Sequence, residues 1–206
     1  MASVSGPKLD WGLAARALEG ESEPGDRHVI LPFGGGVLVA VVDGLGHGPE
    51  ATTAAQAAVD VLERHACQPL VLLLNLCHKA LHGLRGAVMS LASFDATRDI
   101  LSWTGVGNVA GVLQHADPAA RPHVELLVPR PGVLGVKLPT LATGIKDLAP
   151  GDTLILATDG IRSEFAQDLN PSGTPQSIAD NLLAHHCKGN DDALVLVVRY
   201  MGRQDG

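Results

Sequence analysis

Three runs in this 206-residue chain are apolar at every consecutive position: Val37–Val42 (VLVAVV), Leu154–Ala157 (LILA) and Ala193–Val198 (ALVLVV). Neighbouring side chains of a strand point to opposite faces, so a run with no polar alternate must be covered on both sides. Such strands call for a layered fold, with elements packed above and below them. Each run also has an acid at one end: Asp43, Asp159, and the pair Asp191–Asp192.

The rest of the chain supplies the layers. Pro49 fits the first turn of a helix that continues as EATTAAQAAVDVLERHA, and LVLLLNLCHKALHGL after Pro69 reads as a second, largely buried helix. Thr174 and Pro175 make an N-cap and first helical position for SIADNLLAHHC. AVMSLASFDA, DILSWTGVGNVAGVLQ and HVELLV are closely spaced strands of the hairpin kind. Strands in runs with helices in pairs predict an α+β fold, one domain over 1–206. With 46% hydrophobic but only 3% aromatic residues, its core is built from Val, Leu, Ile and Ala.

A formal charge of −7 without a basic cluster argues against a nucleic-acid or anionic-membrane partner. No apolar run approaches the ~20 residues of a membrane helix, and MASVSGPKLDWG lacks the pattern of a signal peptide. The expectation is a cytoplasmic protein. Cys67, Cys77 and Cys187 form no paired motif and read as small buried hydrophobes.

A carboxylate is costly to bury without a partner, so the strand-end acids want hydrogen-bond donors or a metal. One such acid is ordinary in a turn; three gathered together would make an oxygen-only site, suited to magnesium or manganese rather than zinc. Spacing alone leaves that convergence open. The glycines after Asp43 (GLGHG) raise a phosphate-loop alternative, but neither G-x-G-x-x-G nor G-x-x-x-x-G-K-[ST] occurs.

At these residues the chain resembles the PPM (metal-dependent, type 2C-like) serine/threonine phosphatases, in the sporulation stage II protein E-like branch. Its closest likeness there is to stressosome feedback phosphatases. The matching segments are Gly25-Asp26, VVDGLGHG (41–48), WTGVGN (103–108), GDTLILATDGI (151–161) and DDALVLVV (191–198), in the family's order. The resemblance implies an αββα sandwich: two antiparallel sheets flanked by helix pairs, with the site at one end.

It also implies two Mn2+ or Mg2+ ions that activate water for hydrolysis of a phosphoserine or phosphothreonine. By matching position, Asp43 bridges the ions, the Gly44 carbonyl completes the first, and Asp159 and Asp191 hold the second. Asp26 lies near the first ion through water, and Asp192 stands behind the ligands. His47 is a candidate general acid, or else packs over a helix N-terminus; it follows Gly44 by three residues, whereas eukaryotic relatives place a histidine directly after Asp-Gly. Asn108 replaces a family aspartate at a possible third metal position, or belongs to a plain turn. Neither Arg16 nor Arg27 clearly matches the family's phosphate-binding arginine. The 161–190 segment is short where relatives carry a larger flap, implying an open site.

The expected activity is that of a protein phosphatase, a phosphoric monoester hydrolase acting on phosphorylated STAS-domain or stressosome proteins in stress-response feedback. The alternatives are a non-catalytic phosphoprotein-binding relative and a hydrolase of small phosphate esters.

Overall fold

The computed structural model describes residues 6–21, 23–170 and 172–203. Part of the N-terminal stretch read above for a signal peptide, residues 1–5, lies outside the described residues. The first sheet has the order β1-β10-β9-β6-β7, from Pro7–Arg16, Ala193–Arg203, Thr153–Ala157, Ala110–Gln114 and Val124–Leu127. The second has the order β2-β3-β4-β5-β8, from Asp26–Phe33, Gly36–Gly44, Ala87–Asp95, Ile100–Val106 and Gly144–Asp147. All neighbouring pairs are antiparallel.

The continuous apolar runs are explained by this layering. Along β3, Val37, Val39 and Val41 enter the core between the sheets, while Leu38, Ala40 and Val42 enter a second core. That second core lies under α1 (Pro49–His65) and α2 (Leu70–Ala80). Along β10, Leu194, Leu196 and Val198 point inward; Ala193, Val195 and Val197 face α3 (Pro175–His186). The α1 face is nearly all alanine: Ala51, Ala54, Ala55 and Ala58 are fully buried, which brings the helix close to β3.

The αββα layering therefore holds. The outer layer of the first sheet is α3 with a 3₁₀ turn at Ser163–Gln167, where the resemblance implied a helix pair. Three strands absent from the sequence reading, β1, β2 and β8, are the edges β1, β2 and β8 of the two sheets. The cysteines are free, but only Cys77 is buried; Cys67 is exposed at the end of α1 and Cys187 is half-buried. Among the described residues no helix is long and apolar enough to cross a membrane.

Candidate metal centre

Strands β2 and β3 bring two carboxylates face to face. Asp26 opens β2, Asp43 is the penultimate residue of β3, and the two are register partners. Opposed residues of an antiparallel pair hold their Cβ atoms about 4.5–5.5 Å apart, where like charges repel. Asp26 is only 5% exposed and Asp43 is half-buried. Burial, with the charges of Asp192, Asp159 and Asp191, pushes Asp26 up to about 7 despite a hydrogen bond from Thr158. Burial and the charges of Asp26, Asp159, Asp191 and Asp192 push Asp43 up to about 8.

The other acids reach the same end of the sandwich. Asp159 follows β9 and Asp191 precedes β10; with Asp43 they line one cleft of about 430 Å³. Burial and the neighbouring Asp191 raise Asp159, opposed by Lys188 and by Asn108. The Asn108 side-chain amide donates to Asp159 Oδ2 at 2.7 Å. The expected three-way gathering of Asp43, Asp159 and Asp191 is thus a common wall.

Two backbone approaches make this possible, and both require glycine. A Cβ on Gly44 would lie 2.1 Å from the carbonyl oxygen of Ala51, where β3 meets α1. A Cβ on Gly160 would lie 1.9 Å from the carbonyl oxygen of Asp192, where the turn after β9 meets the start of β10. Any side chain there would push Asp43 away from α1, or Asp159 away from Asp191.

Asp192 does not line the cleft and lies behind it. Its Oδ1 accepts the Leu18 N–H at 2.7 Å and its Oδ2 the Gly25 N–H at 2.6 Å. It therefore pins the β1–β2 connection, which leads into Asp26. Thr158, unmarked in the sequence reading, does similar work. Its hydroxyl donates to Asp26 Oδ2 at 2.7 Å and accepts the Leu194 N–H at 2.9 Å, joining β2, β9 and β10.

His47 is not in the cleft. Its ring, exposed, shares a hydrogen bond with Glu21 at 2.8 Å on the side of the β1–β2 connection. The displacement follows from GLGHG: Gly46 and Gly48 both take positive φ, which turns the loop outward before α1. Arg27 is tied to the carbonyls of Pro24 and Asp26, and Arg16 stands at the end of β1 opposite Ala193; neither lines the cleft. The cation nearest the loop is Arg85, whose guanidinium sits over Gly46 and pairs with Glu50 at 3.0 Å. Only its proximity in space marks it, 39 residues after Gly46 in sequence.

The donors fit hard divalent cations. Among the described residues, no ion pair within 4.0 Å reaches Asp26, Asp43, Asp159, Asp191 or Asp192. Nor do three His, Cys, Asp or Glu side chains among them close into a ready-made cage. That combination suits ions that keep several waters and take one or two carboxylates each, as magnesium does. Among the described residues no imidazole, thiol, hydroxyl or basic group lines the cleft.

Two facing antiparallel sheets with carboxylates collected at one end define the PP2C class of serine/threonine phosphatase domain. Comparison with known proteins agrees: the stage II sporulation protein E (SpoIIE) family matches residues 34–201. The chain belongs to that family. It is 26% identical over 177 residues to the phosphoserine phosphatase RsbX of Bacillus subtilis, covering 84% of this chain and 86% of RsbX. A solved chain from the bacterial stressosome, described as a modular system adapted to control secondary messenger signalling, is 31% identical. Its TM-score is 0.84, over 93% of this chain and 100% of that one. RsbX in complex with magnesium shares the fold at a TM-score of 0.82 and 23% identity, over 93% and 95% of the two chains.

Proposed function

We propose that residues 1–206 form one phosphatase domain that removes phosphate from serine or threonine of a STAS-type stressosome or anti-sigma-antagonist protein, as a feedback step in stress signalling. The observation that carries the reading is that Asp43, opposed across the hairpin by the buried Asp26, shares one cleft with Asp159 and Asp191, and that none of these acids has a basic partner within 4.0 Å among the described residues. Two divalent ions, Mn2+ or Mg2+, are the partners that such a set of oxygens lacks. When bound they supply charge neutralisation at the phosphoryl oxygens and a lowered pKa for water.

The residues divide the work. Asp43, with the Gly44 carbonyl, Asp159 and Asp191, would hold the ions; Asn108 fixes the Asp159 carboxylate by its amide, at a position where a further acid would invite a third ion. Asp26, at the start of β2, would act on the first ion through water. Asp192 and Thr158 keep β2, β9 and β10 in register so that these acids stay together. Among the described residues no serine, threonine, cysteine or histidine lines the cleft, and its carboxylates are taken up as ligands, so water is the attacking group and no enzyme-bound phosphate is formed. His47, bound to Glu21, takes no part in proton transfer, and the leaving oxygen is protonated from solvent.

The test is manganese- or magnesium-dependent loss of phosphate from a phosphorylated STAS-domain protein, mapped by mass spectrometry. Asp43→Asn and Asp159→Asn should each lower kcat by at least ~100-fold while the circular dichroism spectrum stays that of the parent. Turnover at the parental rate by either variant sinks the reading. Rapid cleavage of para-nitrophenyl phosphate without any action on the protein would point instead to a small-ester hydrolase.

A further inference from the structure

The two sheets are covered unequally. Helices α1 and α2 lie over the second sheet, whereas α3 packs on β1 and β10, and the 3₁₀ turn reaches only the middle of the first sheet. Among the described residues no α-helix packs over the outer face of β6 and β7. Val112 of β6 is the register partner of Leu126 of β7, and both point to that face. Val112 is 1% exposed because Phe165 shields it, but Leu126 is 65% and the following Val128 72% exposed. With Pro129, Ala166 and Gln167 they wall an apolar groove of about 430 Å³. β7 is also the free edge of its sheet. An uncovered apolar edge invites aggregation, so a chain that keeps one has a use for it.

The walls of the groove and of the cleft are joined by three short stretches of chain. β6 starts two residues after Asn108, the group bound to Asp159. Pro129, a groove wall, leads directly into Pro131–Val133, a cleft wall. Ser163, at the other side of the groove, follows Asp159 by four residues. The Gly107 N–H to Arg130 carbonyl and Arg130 N–H to Gly105 carbonyl bonds, both 2.9 Å, clamp these segments together.

We propose that this groove docks the polypeptide beside the phosphorylated residue of the protein substrate, burying one aliphatic side chain between Leu126, Val128 and Ala166. The inference rests on the phosphatase reading and adds its specificity determinant. The occupant is an extended segment of that substrate because the groove borders the cleft where β6 begins, Asn108 lining the one and Ala110 the other. Asn108 and Gly111 are three residues apart, at most about 10 Å along the chain. An extended peptide covers the same distance in about three residues. The aliphatic residue therefore sits three or four positions from the phosphoserine, on one side of it only.

The experiment uses synthetic phosphoserine peptides: one with glycine at every other position, and a series with a single leucine moved outward from the phosphoserine on either side. For the parent protein with Mn2+, kcat/KM should be roughly tenfold higher with leucine three or four residues away on one side than with glycine, the gain expected for burying an aliphatic side chain. Leu126→Asp or Val128→Asp should bring that ratio to about one; both residues are solvent-exposed, and circular dichroism and para-nitrophenyl phosphate turnover report the state of fold and metal centre. Equal rates across the series overturn the docking proposal, as does a leucine preference that survives in both variants. A parent dimer in sedimentation that dissociates on Leu126→Asp also overturns it, since a second copy would then cover the groove. No metal-dependent turnover of either the glycine peptide or para-nitrophenyl phosphate by the parent protein sinks the phosphatase reading itself, and this proposal with it.

Discussion

Stripped of divalent ions, the folded chain should lose stability as pH rises from 5.5 to 8.5. Asp26 and Asp43 oppose one another across β2 and β3, so the metal-free site must keep a proton or hold two adjacent negative charges. The Asp43 carboxyl, ordinarily near 3.8, is pushed up to about 8 by burial and by its acidic neighbours. Between those two values the folded chain keeps a proton that the unfolded chain has released. A raised folded pKa gives stability that is complete below the unfolded value and is lost as pH climbs through the folded one. At about 1.4 kcal/mol per unit, the gap for Asp43 is worth roughly 6 kcal/mol across that interval, of which roughly 3.5 kcal/mol falls between pH 5.5 and 8. Asp26 belongs to the same linked titration and adds no separate sum.

The assay is urea unfolding in chelator, followed by tryptophan fluorescence at several pH values. Even half of the energy lost in that range, about 1.8 kcal/mol, moves the midpoint by roughly 1 M urea. Excess Mg2+ or Mn2+ should remove the trend, because the cation takes the proton's place. Asp43→Asn should remove most of it without metal. His115 is also raised, by hydrogen bonds and charge from Glu125 and Asp152 that outweigh its burial. It tilts stability in the same direction but persists in the Asn variant, so the difference between the two proteins isolates the site. A chelated parent whose midpoint is flat over this range would refute the reasoning, as would an unchanged slope in Asp43→Asn.

Gly160→Ala should cost about 3 kcal/mol of stability and at least ~100-fold in kcat, since its Cβ meets the main chain of Asp192, which cannot rotate away; near-parental thermal unfolding and rate would contradict the close approach. Thr158→Val keeps the shape but leaves Asp26 without its hydroxyl donor and the Leu194 N–H without an acceptor. It should lose about 2–4 kcal/mol, and hydrogen exchange at Leu194 should accelerate relative to the rest of β10. His47→Ala should retain kcat within about threefold, the ring being outside the cleft; a loss of ~100-fold or a vanished limb of the pH–rate profile would restore it as a proton donor.

What could be read in the chain divides by the range of the interactions. β3, β9 and β10 are legible because both faces of each enter a core, which leaves no polar alternate in the sequence. Asp43, Asp159 and Asp191 stand out as charges ending such runs. β1 and β2 are edge strands, and their sequences show why they escape pattern reading. PKLDWGLAAR carries Lys8, Asp10 and Arg16 on a partly solvated edge, and DRHVILPF contains Pro32, tolerated because an edge strand has a free side. Asp26 could be matched by motif, but its opposition to Asp43 depends on a hairpin register over strands of which one was not visible. The tasks of Asp192 and Thr158 were less accessible still: the Asp192 oxygens are held by amides 167 and 174 residues away, and the Thr158 hydroxyl reaches an acid 132 residues away.

The same reasoning applies to what is missing from the fold. The segment 161–190 is visibly short in the sequence, and shortness alone implies only an open cleft. Its consequence depends on strand order. Because β6 and β7 end the first sheet on the side away from β1 and β10, the single helix that this segment provides settles over β1 and β10. The opposite edge stays bare, and Leu126 and Val128, unremarkable within HVELLV, become a solvent-facing apolar strip beside the carboxylates. A second helix there would bury the strip and close that side of the cleft. Economy in the chain after β9 thus gives the first sheet both an exposed metal site and an adjoining surface able to tell one phosphorylated segment from another.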